Sequence, residues 1–170
     1  MRQKTILLGL LFLGFVSILL SSRAFPVGTD TGLNPGEKLP SIMVDGKDLT
    51  TECTEQPEAI LVVWSVDDAT SRVVNSWVSN DPHRGADIPI YSICIDAEQQ
   101  DAEFFAQLDN VNPQLLTLWG IKNSNSISGK QARKLLVKGE PMVFHTTYGK
   151  IQKAEPASVL WERIQNEMAI

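Results

Sequence analysis

The sequence has little from which to build a metal or thiol centre. Its 170 residues include two cysteines, Cys53 and Cys94, and two histidines, His83 and His145. The cysteines form no Cys-x-x-Cys, and the histidines stand in no His-Glu-x-x-His and in no Cys/His cluster. Zinc ligands recur at short, regular spacings, so a zinc site of the usual kind is excluded, and no cofactor is expected. Positive charge is scarce as well, with a net charge of −5 and a pI near 5.0. A nucleic-acid binder would carry a basic stripe, and none is present. Internal repeats, low-complexity tracts and a second domain are absent too.

What is present begins with a targeting pattern. Arg2 and Lys4 precede an apolar run over residues 6–20, followed by Ser21, Ser22, Arg23 and Ala24. A basic region, a greasy stretch and then small residues describe a secretory signal, with Ser22 and Ala24 placed for cleavage before Phe25. The alternative is an uncleaved signal anchor held in the inner membrane. No cysteine follows the run, which excludes a lipoprotein anchor. The basic residues stay in the cytoplasm in either case, so the remainder is expected in the bacterial periplasm, free or tethered. Residues 1–24 are thus the signal or anchor, 25–38 a Gly- and Pro-bearing linker, and 39–170 the domain.

Residues 39–44 predict a short strand running into an Asp45-Gly46 turn, with a second short strand around 48–50. Residues 59–64, Ala-Ile-Leu-Val-Val-Trp, predict a strand buried on both faces. Asp67 or Asp68 then caps a helix carrying Val73, Val74, Trp77 and Val78. A second buried strand spans 89–95 and ends at Asp96, followed by an amphipathic helix over 99–109. The stretch 110–130 has no clear pattern, and 124–128 reads as loop. A short helix over 131–137 stops at Gly139. A strand over 142–146, a Tyr148-Gly149 turn and a partner strand over 150–153 follow. Pro156 opens the last helix, which carries Val159, Leu160, Trp161 and Ile164. This βαβα–ββα order needs a parallel pair with a crossover helix plus an antiparallel hairpin, an α/β class with a mixed central sheet flanked by helices.

Several local sequences in that order resemble the TlpA/redoxin (AhpC/TSA-like) branch of the thioredoxin-like superfamily. Gly36-Glu37-Lys38-Leu39-Pro40 is similar to its opening segment, and Asp45-Gly46-Lys47 to the turn that follows. Leu61-Val62-Val63-Trp64 is similar to the central strand that ends in tryptophan before the active site. Gly139-Glu140-Pro141-Met142 resembles the segment whose proline is cis and presents backbone to a substrate chain. Tyr148-Gly149-Lys150-Ile151 resembles the hairpin after it. The match covers residues 36–168 and implies a thioredoxin-like fold. In that branch the strand continues as Trp-x-x-x-Cys-x-x-Cys-Arg/Lys. Here the same positions read Trp64-Ser65-Val66-Asp67-Asp68-Ala69-Thr70-Ser71-Arg72, which puts Asp68 and Ser71 in the two cysteine places.

A dithiol site needs a thiolate and a second sulfur that releases the mixed disulfide. A carboxylate at Asp68 suits the positive end of a helix but has no redox couple, and Ser71 cannot resolve a disulfide. Asp68 is therefore expected to act as a helix cap, with Arg72 paired to solvent or an acidic neighbour. Cys94, inside an apolar strand, is expected buried; Cys53, in Thr-Thr-Glu-Cys-Thr-Glu, is expected in a polar and accessible loop. Two unpaired thiols are the first expectation and a Cys53–Cys94 disulfide the second. His145 is expected to pack at a strand edge. Three functions remain open: a non-catalytic module that binds an envelope protein or extended peptide by strand addition, an atypical oxidoreductase working through Cys53 or Cys94, or a structural subunit or remnant fused to a membrane anchor.

Overall fold

The computed structural model describes residues 33–81, 87–112, 116–122, 126–136 and 138–169. The apolar run at 6–20, the cleavage position before Phe25, and His83 lie outside these. No helix among the described residues is long and apolar enough to cross a membrane.

Strand β3 (Ala59–Trp64) is buried at every position and forms the middle of a five-stranded sheet. Before it, β1 (Met43–Val44) and β2 (Lys47–Asp48) close a small ladder through Asp45-Gly46. β3 pairs in parallel with β4 (Ile90–Cys94), and β4 in parallel with β5 (Leu116–Gly120). On its other side β3 pairs antiparallel with β6 (Met142–Thr147), which turns back into β7 (Lys150–Pro156). The turn residues Tyr148 and Gly149 have φ of 48° and 70°, the left-handed pair that a two-residue hairpin requires. The sheet order is β5-β4-β3-β6-β7.

The period-two alternation of β3 sorts the core into layers. Leu61 and Val63 join Cys53, Leu135, Phe144 and Ile151 on one face. That face is covered by α1 (Leu49–Glu55), α4 (Ile127–Ala132) and the 3-10 turn Arg133–Leu135. Ile60 and Val62 pack against Val74 and Val78 of α2 (Ala69–Asn80) and Leu160 and Ile164 of α5 (Ala157–Met168). Trp64 and Cys94 pack on Ala102 of α3 (Gln99–Leu108).

Three elements differ from the sequence expectation. The strand expected around 48–50 gives way at Leu49 to α1, because Asp48 accepts the Thr50 N–H and starts a helix instead. The patternless stretch contains β5, an edge strand that is only half-buried and so lacks a continuous apolar signature. The helix expected over 131–137 begins earlier, at Ile127, where Ser126 caps it through the Gly129 N–H, and residues 127–128 are therefore helix and not loop. The end of the expected linker is docked. Leu33 is buried in the core, and Gly36 and Glu37 hydrogen-bond the backbone of Ile151.

Candidate functional site

β3 ends at Trp64, and the chain passes through Ser65–Asp67 into α2 at the sheet end where parallel strands deliver their carboxyl termini. Asp68 is the N-cap of α2. Its Oδ1 accepts the Thr70 N–H at 2.9 Å and the Ser71 N–H at 3.4 Å. The fully buried Ser71 hydroxyl donates to the Asp68 carbonyl (3.0 Å) and accepts the Ser65 N–H (3.2 Å). The two side chains close the turn on itself and satisfy helix-start donors that have no partner inside the helix.

Asp96, just beyond β4, holds the same loop from the other side. Its carboxylate accepts from the Ser65 hydroxyl and from the Val66 N–H at 3.0 Å, and Cys94 Sγ lies 3.3 Å from it. The Ser65 hydroxyl in turn accepts the Asp67 N–H. Deeper in, the fully buried Trp64 indole donates to Ser92 (2.8 Å), and Ser92 donates to Asn75 of α2 (2.9 Å). This chain fastens β3, β4 and α2 together inside the core, where unpaired polar atoms would be costly. The sequence signals for these residues were present. Ser92 and Asn75 are polar residues on buried faces, which obliges a partner, and Asp96 stands at a strand terminus. Pattern alone could not pair them.

The antiparallel register that sets Val62 opposite Val143 brings Pro141 to the Trp64 end of β3. Trp64, Asp68, Ser71 and the Glu140-Pro141 segment thus share one end of the sheet. No described peptide bond is cis, so the Glu140–Pro141 bond is trans and the implied cis proline is not found. The Pro141 carbonyl is taken by the Ala157 N–H at the start of α5. Arg72 turns away from this end. Its guanidinium makes a two-pronged contact with Asp109 (2.8 and 2.6 Å) and lies 4.7 Å from the Phe105 ring centroid. Asp109 is therefore the acidic neighbour expected for Arg72.

Both cysteines are free and fully buried. Cys53 corrects its expectation: it sits on the inner side of α1, because that segment is helix and not loop. Cys53 and Cys94 belong to core layers on opposite faces of the sheet, which rules out the disulfide considered for them. Burial pushes each thiol up to about 12, with Glu52 adding to the rise at Cys53 and Asp96 at Cys94. His145 lies opposite Lys153 in the β6–β7 ladder, and no cluster of potential metal ligands occurs among the described residues.

The sheet edges offer little room for an added strand. The Gln99 side-chain amide donates to the Leu118 carbonyl and accepts the Gly120 N–H, occupying the outer edge of β5 as a strand would. Gly120 permits this approach, since a Cβ there would meet Gln99 N and Glu98 C at 2.6 Å. At the opposite edge residues 36–39 pair with 149–151, and β7 continues through a bulge to Pro156. Bulges, edge proline and covering segments all discourage pairing with another chain.

No protein-family model and no curated protein matches the sequence. Solved structures do. A thioredoxin-like protein from Parabacteroides distasonis is similar at a TM-score of 0.55 and 18% identity, over 78% of this chain and 96% of that one. The thioredoxin domain of a thiol-disulfide oxidoreductase from Bacteroides vulgatus is similar at 0.54 and 15%, over 79% and 98%. Parallel β3-β4-β5, the antiparallel β6-β7 hairpin and helices on both faces, together with these likenesses, give the chain the thioredoxin-like fold.

Proposed function

We propose that the chain is a thioredoxin-like domain that binds a protein or peptide partner in the bacterial envelope and performs no thiol–disulfide exchange. The observation that carries this reading is the start of α2. Asp68 and Ser71 stand there in the places the resemblance assigns to the attacking and resolving cysteines, and their side chains are committed to closing the turn. The helix terminus that would stabilise a thiolate already has its anion. Neither remaining thiol offers a substitute, because both are inaccessible and lie far above the pKa of a reactive cysteine. An atypical oxidoreductase working through Cys53 or Cys94 is disfavoured for the same reason. The basic–apolar–small pattern of residues 1–24 supports delivery to the envelope.

The test is reduction of insulin in the presence of dithiothreitol by the wild-type domain and by Asp68→Cys/Ser71→Cys. The wild type is expected to add nothing to the reductant's own rate, and the double variant to gain turnover. Turnover by the wild type would overturn the reading. A folded double variant without gain would remove the correspondence of Asp68 and Ser71 with the redox pair.

A further inference from the structure

The edge of β7 is closed by the chain's own residues, and the closure contains a mismatched pair. The Gly36 N–H donates to the Ile151 carbonyl (2.7 Å), the Ile151 N–H to the Glu37 carbonyl (2.8 Å), and the Leu39 N–H to the Gly149 carbonyl (3.0 Å). The last two bonds flank Lys38 and Lys150 and make them direct antiparallel partners. They form the pair type without a bond of its own, in which the Cα atoms come within about 4.5 Å and the side chains lie close.

Like charges directly opposite each other destabilise a strand pair. Both lysines are exposed, and neither makes an ion pair among the described residues. Glu37, the acidic neighbour in the arm, turns its carboxylate to the Asn34 N–H at 3.1 Å. The seam is thus held by three backbone bonds and the buried Leu33 and Leu39, against its own charges. Its grip is also short. The Glu37 N–H closes a turn on the Asn34 carbonyl, and Gly36 stands at φ 93°, so the arm leaves β7 just past Ile151. β7 itself runs on to Pro156. A segment of exposed residues tied by so few bonds belongs to the low end of local stability.

We infer that β7 exchanges residues 36–39 for an extended partner segment that sets Asp or Glu opposite Lys150 and a leucine in the seat of Leu39. The acidic residue turns a repelling pair into an attracting one, worth about five-fold in affinity. A second copy of this chain is a poorer guest, because its arm brings Lys38 back against Lys150. A wholly apolar segment leaves Lys150 without a counter-charge. The arm has the advantage of tethering, equivalent to a millimolar concentration. A longer partner offsets this by continuing along β7 where the arm has turned away. The inference rests on the binding reading above and gives it a place and a partner chemistry. The place is the sheet end remote from Asp68, since β6 leaves Pro141 at Met142 and reaches the start of β3 at Thr146.

The test is titration of the ¹⁵N-labelled domain with an octapeptide copying residues 33–40 and carrying Lys38→Glu, beside the unchanged octapeptide. The reporter is the Ile151 amide, whose bond to Glu37 is broken and replaced in the exchange. Because tethering favours the arm, binding is expected in the millimolar range, with the Lys38→Glu peptide about five-fold tighter. Lys150→Glu alters an exposed side chain, leaves the fold intact, and should reverse the order of the two peptides. Lys38→Cys/Lys150→Cys places two thiols directly across the seam, at a separation a disulfide spans. Oxidised, this variant should lose the Ile151 response to either peptide, and reduction should restore it. Equal affinity of the two peptides, an unchanged order in Lys150→Glu, a response that survives oxidation, or no response at about 10 mM peptide would overturn the inference. So would Ile151 shifts that follow protein concentration without peptide, the mark of exchange between copies. Insulin reduction measured on the same sample separates the two ideas. Turnover would sink the non-catalytic reading and leave the Ile151 response standing, whereas no response without turnover would sink the edge exchange alone.

Discussion

The buried thiols permit a quantitative test of chemical inertness. At pH 7 an ordinary cysteine with a pKa near 8.5 is about 3% thiolate, whereas a thiol at about 12 is thiolate to the order of 10⁻⁵. Ionisation alone therefore slows attack on an electrophile roughly 3,000-fold. Access is the stronger restriction, because Cys53 and Cys94 both expose 0% of their surface. A reagent such as dithionitrobenzoate must wait for the chain to open, and a domain stable by about 5–10 kcal/mol populates its open form to roughly 10⁻⁴ or less. An exposed thiol that labels within a minute then becomes one that labels over days.

The two cysteines should also differ in order. Cys53 belongs to α1, a helix of seven residues that can detach locally, while Cys94 lies on β4 between β3 and β5 and requires global opening. The assay is mass spectrometry of alkylated protein at pH 7, native and in 6 M guanidinium. Both sites are expected to label fully when unfolded and neither within minutes when native, with Cys53 the first to react over long incubation. Rapid native labelling of either thiol, or labelling of Cys94 ahead of Cys53, would refute the reasoning from burial.

Two further outcomes follow from the caps. Asp68→Ala should cost about 1 kcal/mol and lower Tm by roughly 3–5 °C, while Asp68→Asn, which keeps an acceptor oxygen, should stay within a few tenths. Equal losses in both, measured by thermal melts, would show that the charge and not the cap is what matters. Burial of Asp48 tends to raise its pKa, but hydrogen bonds from Ser41, Thr50 and the Ile42 N–H together hold it below the usual carboxylate value. A depressed folded pKa means stability that is complete above the unfolded value, near pH 4, and lost as pH falls through the folded one. Urea midpoints should therefore drop below pH 4, and Asp48→Asn should start lower but fall less steeply in that window; parallel profiles would contradict this.

The elements legible in the sequence were those whose burial is total or whose cap is adjacent. β3 and β4 are apolar at nearly every position because both of their faces are covered, and α2 follows directly from Asp68 and its periodic valines. β5 was not legible because an edge strand with half-buried residues needs no apolar run, and its place is fixed by Gln99 and Gly120 from outside the strand. α1 was hidden because its four-residue core, Thr50–Cys53, is rich in β-branched threonine and offers little intrinsic helix preference. At the site, Asp68 and Ser71 could be placed by motif and pair within their own turn, but the residues that fasten that turn and α2 to the sheet could not be paired from the sequence. Ser65, Asp96 and Asn75 come from separate elements, and only tertiary pairing gives them meaning.

The start of α2 also constrains where binding can occur. A helix N-terminus attracts anions through its free N–H groups, yet here Asp68 occupies the Thr70 and Ser71 donors, and Asp96 occupies Val66. An anionic guest at this end would have to displace carboxylates of the chain itself and meet their charge.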